Sequence, residues 1–288
     1  MTEFRPSRFQ ILPTIVKNLL IINGLVFLAQ NTMQGLEGFS IDDTFALHAW
    51  QSNLFKPWQL VTHLFMHGGN LFKLEISHIF FNMLALWMFG SVLENVWGSK
   101  RFLTFYMVCG LGAALIHLLF LSWELAPIIN DYTALAQQHM AGSEYEADAM
   151  VRFMQKYHLQ ADNTETVTLL QNIRANAQNP VFMDSMFNEI TQFYHTSKID
   201  TATIGASGAV FGVLAAFGYL FPNTYLYIYM LVPVKAKWVV LFYGAIELFE
   251  GIQNSAGDNV AHWAHIGGAV VGLLIVMTWN KTNKKTLY

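Results

Sequence analysis

Five polar side chains stand inside otherwise apolar runs of this chain, and their types suit acyl-transfer chemistry. Ser207 lies near the start of Ile204–Phe221, IGASGAVFGVLAAFGYLF, a run without a charged residue. His78 and Asn82 lie four apart in a second run, and His262 and His265 in a third. A serine hydroxyl is a weak nucleophile until a base takes its proton, and histidine titrates near neutrality, so a buried serine and histidine suggest a nucleophile and its base. His78 and Asn82 share one helix face. Their N–H groups, with the Ser207 backbone N–H, are candidate donors to a developing oxyanion.

Each signal also has a structural reading. A lone hydroxyl in an apolar helix can bond the carbonyl one turn back. The small residues around it, Gly205, Ala206 and Gly208, suit close helix packing. His-x-x-x-Asn is often a packing or capping pair. His262-x-x-His265 could be a metal pair, with His63 and His67 as further ligands and Glu247 and Asp258 the nearby carboxylates in sequence. The expectation is nevertheless no metal and no cofactor. Gly205-Ala-Ser-Gly-Ala lacks the second glycine of a G-x-S-x-G elbow, and no strand precedes it.

The elements that must position these residues are membrane spans. Of 288 residues, 54% are hydrophobic and 12% charged, where an ordinary soluble domain has roughly 25% charged. Mean hydropathy is +0.35. Six apolar runs, 11–30, 78–97, 102–123, 204–221, 238–249 and 260–279, predict an all-α polytopic bundle. The fifth is short and suits a tilted or locally thinned crossing. No small-residue cleavage site precedes the first run, which is expected to be retained. A net charge of −3 argues against a nucleic-acid partner. A single cysteine, Cys109, excludes an intramolecular disulfide.

Residues 124–200 break the pattern, with ten acidic and four basic side chains. They read as a helical extramembrane insertion between spans three and four. The expected division is 1–123, 124–200 and 201–288. Ten of the sixteen Lys and Arg residues, among them Arg5, Arg8, Lys100, Arg101, Lys235, Lys237, Lys281, Lys284 and Lys285, fall in short segments on the side of the termini. The positive-inside rule then places both termini in the cytoplasm. Ser207, His78 and His265 come out at one depth, opening to the outer side.

Gly205-Ala-Ser-Gly208, then Ala264-His-Ile-Gly-Gly268, with His78-Ile-Phe-Phe-Asn82 upstream, resemble the rhomboid family of intramembrane serine proteases. Trp58, Glu94, Gly98-Ser and Arg101-Phe102 extend the resemblance, which covers about 50–123 and 201–279. It implies a rhomboid-like bundle of six transmembrane helices. Ser207 would be the nucleophile and His265 its general base, a dyad without an acidic third member. His78, Asn82 and the Ser207 backbone would stabilise the oxyanion, with Gly205, Gly208 and His262 in supporting places. It further implies a first outward loop lying partly in the bilayer, and a gate and cap from span five and the loop 251–259. The implied partners are membrane lipid and single-span proteins cut in or near the membrane. Two features depart from the family pattern. Gln59 follows Trp58 where many members carry an arginine that anchors the loop, which bears on loop stability and not on the chemistry. The insertion is also longer than the usual connection. The compact six-span layout fits a bacterial plasma membrane. A non-catalytic escort of the same fold would usually lack the serine or the histidine. A transporter would show repeats or broken helices in matching halves, and no repeat is seen.

Overall fold

The computed structural model describes residues 9–33, 38–143, 145–157, 163–228, 231–253 and 260–282. Arg5, Arg8, Asp258, Lys284 and Lys285 lie outside them, as does 254–259 of the expected cap loop. The chain divides into two compact units. One comprises Met1–Leu47, Lys56–Leu119 and Ala202–Tyr288, the other His48–Phe55 and Phe120–Thr201.

The first unit opens with α1 (Thr14–Thr32), which follows Pro13. No side chain of α1's own cap satisfies its first amides. The carboxylate of Glu94 does so instead, accepting from the N–H of Ile15 at 2.9 Å and of Val16 at 2.8 Å. An anion on a helix N-terminus is favourable because those amides carry partial positive charge. Ser40 caps the short α2 (Ile41–Phe45), and α3 (Gln59–Thr62) runs into a 3₁₀ turn, His63–Phe65. Then come α4 (Ser77–Ala85), a π turn at Leu86–Gly90, and α5 (Ser91–Trp97). Gly98, with φ +80°, reverses the chain into α6 (Ser99–Met140).

The length of α6 corrects an expectation. The third apolar run ends at 123, but the helix runs for 42 residues, about 63 Å at 1.5 Å per residue, against a hydrocarbon core of about 30 Å. Glu124 ends the apolar run without ending the helix, because helix formers continue past it. Pro127 removes only one backbone donor.

The second unit takes the remainder of α6 with α7 (Glu146–Tyr157), α8 (Asn163–Ala175) and α9 (Pro180–Tyr194). Asn179 caps α9 by accepting from Phe182 N–H, and Pro180 fills its first position. Leu135, Met150, Ile173 and Ile190 form a buried core of this unit's own. Tyr132 stacks on Tyr194 with centroids 3.9 Å apart.

The chain returns to the first unit with α10 (Ser207–Leu220). A two-stranded antiparallel ribbon follows, β1 (Tyr225–Ile228) and β2 (Val232–Lys235), with Tyr225 opposite Lys235. Among the described residues the regular elements are helical apart from this ribbon and an isolated bridge between Leu47 and Thr203, and the all-α expectation omits the ribbon. Pro233 is tolerated because the ribbon leaves its outer edge unpaired. The last helices are α11 (Ala236–Gln253) and α12 (His262–Thr282). Phe102, Phe105, Tyr106, Cys109 and Val213 fill the core of this unit.

Among the described residues, four helices are long and apolar enough to cross a membrane: Thr14–Thr32, Ser77–Trp97, Ser99–Met140 and His262–Lys281. The apolar α10 is shorter, and α11 carries Lys237, Glu247 and Glu250. Large apolar side chains point outward, Ile21 and Leu25 from α1, Leu115 and Leu119 from α6, and Leu241, Phe242 and Phe249 from α11. Faces this apolar suit lipid and not water. This is an integral membrane protein.

Glycines bring α10 and α12 into backbone contact. A Cβ on Gly268 would strike the Gly208 carbonyl, and one on Gly272 would lie 2.7 Å from the Gly212 oxygen. The two small-x-x-x-small faces therefore oppose each other, the arrangement by which membrane helices gain close packing.

Candidate active site

Ser207 is the first residue of α10, so its N–H stands outside the intrahelical ladder. The approach is tightly held. Leu47 and Thr203 exchange backbone bonds, and Gly205 N–H donates to the His63 carbonyl at 3.0 Å. Gly205 has φ +134°, a region that only glycine enters without strain. It also leaves room for the side chains around it. A Cβ there would lie 3.2 Å from His78 Nε2 and 3.3 Å from Ser207 Oγ. His78 Nδ1 accepts from Gly68 N–H at 3.0 Å. A neutral ring must then carry its proton on Nε2. Asn82 Nδ2 donates to the His78 carbonyl at 2.9 Å. One of its two hydrogens thus serves the helix, as a capping pair would.

His265 lies on α12 and is buried. Its ring stacks on Phe211 of α10, centroids 4.3 Å apart and planes 7° from parallel. Its Nδ1 lies 2.8 Å from Glu247 Oε2, and His262 Nδ1 lies 2.7 Å from the same oxygen. The expectation of a histidine without an acidic neighbour is therefore corrected. Glu247 is the acidic neighbour, and the sequence alone does not assign it to His265. Its signal was the carboxylate near the His262-x-x-His265 pair, read as a metal possibility. The three residues do offer ligand atoms within 4.8 Å of one another, a set that could hold a divalent cation. His63 and His67 do not join them. His63 Nδ1 lies 2.7 Å from the Gln59 carbonyl, and His67 Nε2 lies 2.8 Å from Asn23 Oδ1.

A small cleft is lined by His63, His117, Thr203, Gly205, Ser207 and Ala264. About 10 Å³ is open to the centre of a water molecule, close to the least that one water needs. Its walls are partly polar, and His117 Nε2 lies 2.9 Å from Thr203 Oγ1.

The first loop is anchored without an arginine. Gln59 is fully buried. Its Nε2 donates to the Asp43 carbonyl and its Oε1 accepts from Lys56 N–H, each at 3.1 Å. From α1, Gln30 Oε1 accepts from His67 N–H and Asn31 Oδ1 from Leu71 N–H. Burial pushes the imidazoles of His63 and His67, both outside the spanning helices, down to about 4 and about 3.

Comparison with known proteins agrees with this architecture. The family model described as the Rhomboid domain matches residues 54–126 and 181–281, more than half of the chain. The chain belongs to the rhomboid family. It is 36% identical over 63 residues to the rhomboid protease GluP of Bacillus subtilis, covering 22% of this chain and 11% of that one. It is 24% identical over 205 residues to the mitochondrial rhomboid protein 1 of Saccharomyces cerevisiae, covering 69% and 37%. It is 30% identical over 86 residues to the rhomboid protease GlpG of Haemophilus influenzae, covering 29% and 39%. The matched stretches thus span well under two thirds of the length of these relatives.

Proposed function

We propose that this rhomboid is an intramembrane serine endopeptidase that cuts single-span membrane proteins in or near their membrane segment. The observation that carries the reading is the junction of α10 and α12. A serine begins one helix and a buried histidine sits on the other, where glycines let the backbones touch. In this reading Ser207 Oγ attacks the scissile carbonyl carbon and His265 Nε2 takes its proton. The oxyanion receives the Nε2–H of His78, the second amide hydrogen of Asn82 and the Ser207 backbone N–H. His265 then returns the proton to the leaving amine. A water then hydrolyses the acyl-enzyme with the same base. Gly205, Gly208 and His262 support the constellation without touching substrate.

Two relatives are rhomboid proteases by name, which favours this reading over a non-catalytic escort. They are bacterial and another relative is mitochondrial, so the comparisons do not single out a bacterial plasma membrane. Cytoplasmic termini and an outward-opening site rest on the charge distribution alone. Labelling with a serine-directed fluorophosphonate tests the chemistry. The expected result is covalent label on Ser207, abolished by Ser207→Ala and nearly so by His265→Ala. A wild-type protein that stays unlabelled while correctly folded would argue for the escort reading.

A further inference from the structure

We propose that Glu247 is a positioning residue for His265, so that this site works as a serine, a histidine and a carboxylate and not as a dyad alone. The proposal rests on the serine-protease reading and deepens it. Glu247 is 4% exposed on α11, a helix that turns Leu241, Phe242 and Phe249 outward. A carboxylate buried in such a segment is costly unless its lone pairs are used. Here one oxygen, Oε2, lies at hydrogen-bond distance from the Nδ1 atoms of two buried histidines. A carboxylate only accepts, so both Nδ1 atoms carry the hydrogen. In neutral His265 that leaves Nε2 bare, the atom that must take the serine proton. Phe211 stacked on the ring fixes the plane of the imidazole, and Glu247 fixes its rotation within that plane. His262 is the second donor to the same oxygen and holds the carboxylate in place.

The test uses the full chain in liposomes with a single-span substrate. Glu247→Gln keeps the volume but replaces one oxygen by a donor. It is expected to lower kcat about ten- to a thousand-fold with KM unchanged, the mark of an interaction made in the transition state. Glu247→Asp, which keeps the charge, is expected to recover part of that loss. A folded Glu247→Gln with wild-type kcat would overturn the proposal. Because that variant could fail to fold, a second measurement uses the wild type. Nitrogen-15 NMR of histidine-labelled protein, assigned by subtracting the His265→Ala spectrum, is expected to report His265 as the Nδ1–H tautomer. An Nε2–H tautomer would overturn the proposal. So would activity lost to a chelator and restored by zinc, since Glu247 would then be a metal ligand. Cleavage that survives Ser207→Ala would instead sink the serine-protease reading itself.

Discussion

Among the glycines of the helix pair that carries the candidate site, Gly268 has the least room for a side chain. What a Cβ there would meet is the backbone carbonyl of Gly208. A side chain in its place could rotate away, but a carbonyl within a helix cannot. Gly208 is bounded likewise by Ala113 Cβ at 2.6 Å and the Ala264 oxygen at 3.3 Å. Gly268→Ala and Gly208→Val should therefore force the helices apart, at a cost of about 1–3 kcal/mol or more each. Thermal melting in detergent and substrate cleavage should fall together. A Gly268→Ala protein with the wild-type melting temperature would contradict the packing argument. Other residues do their work where the chain offers no local alternative. Glu94, 78 residues beyond Val16, takes the place of a local cap on α1.

Among the elements, the first loop should depend on pH for its stability. His67 Nε2 must donate to Asn23 Oδ1, because Asn23 Nδ2 is already given to the Leu19 carbonyl. His67 Nδ1 is buried without a partner among the described residues. A second proton on that ring has nowhere to go in the folded loop. With both His63 and His67 depressed by burial to about 4 and about 3, the folded loop holds neutral rings while the opened chain takes up protons below about 6.5. The loop's contribution is thus present above about pH 6.5 and lost as pH falls toward 4. Amide exchange over 59–71, corrected for intrinsic rates, should accelerate between about pH 7 and about pH 4, and less so in His67→Gln. Exchange that does not respond to pH in that range would refute the loop argument.

Much at this scale was legible in the sequence. Apolar length marks the spanning helices, since a bilayer imposes a minimum run. The spacing Gly208-x-x-x-Gly212 and Gly268-x-x-x-Gly272 marks the faces that meet. Three features were not legible. Glu247 and His265 are eighteen residues apart on different helices, so only the packing of α11 on α12 reveals their bond. A charge within a short apolar run reads by itself as the end of a span. The extension of α6 to Met140 was hidden because hydropathy reports where lipid contact ends and not where backbone hydrogen bonding ends. The ribbon at 225–235 is too short to show alternation. The place of Gln59 was legible only as a departure from the family pattern, and its bonds to Asp43 and Lys56 explain how the loop holds.

For the whole molecule, the proposed activity depends on what a substrate must do to reach Ser207. A membrane helix satisfies its own backbone bonds and hides its carbonyls. Cutting requires local unwinding, and residues of low helix propensity near the bond lower that cost by up to about 1 kcal/mol for glycine. A substrate series should therefore show faster cleavage with a small residue before the scissile bond and helix-destabilising residues beyond it. Flat rates across the series would contradict that model. The second unit has its own core of α7–α9 with the end of α6. None of the proposed catalytic residues lies in it.

The most direct test of the central claim is cleavage of a generic single-span protein by the purified chain in liposomes, beside Ser207→Ala and His265→Ala. The account predicts a discrete cut in or near the membrane segment with the wild type and none with either variant, both variants melting as the wild type does. Cleavage that persists in folded Ser207→Ala would contradict it.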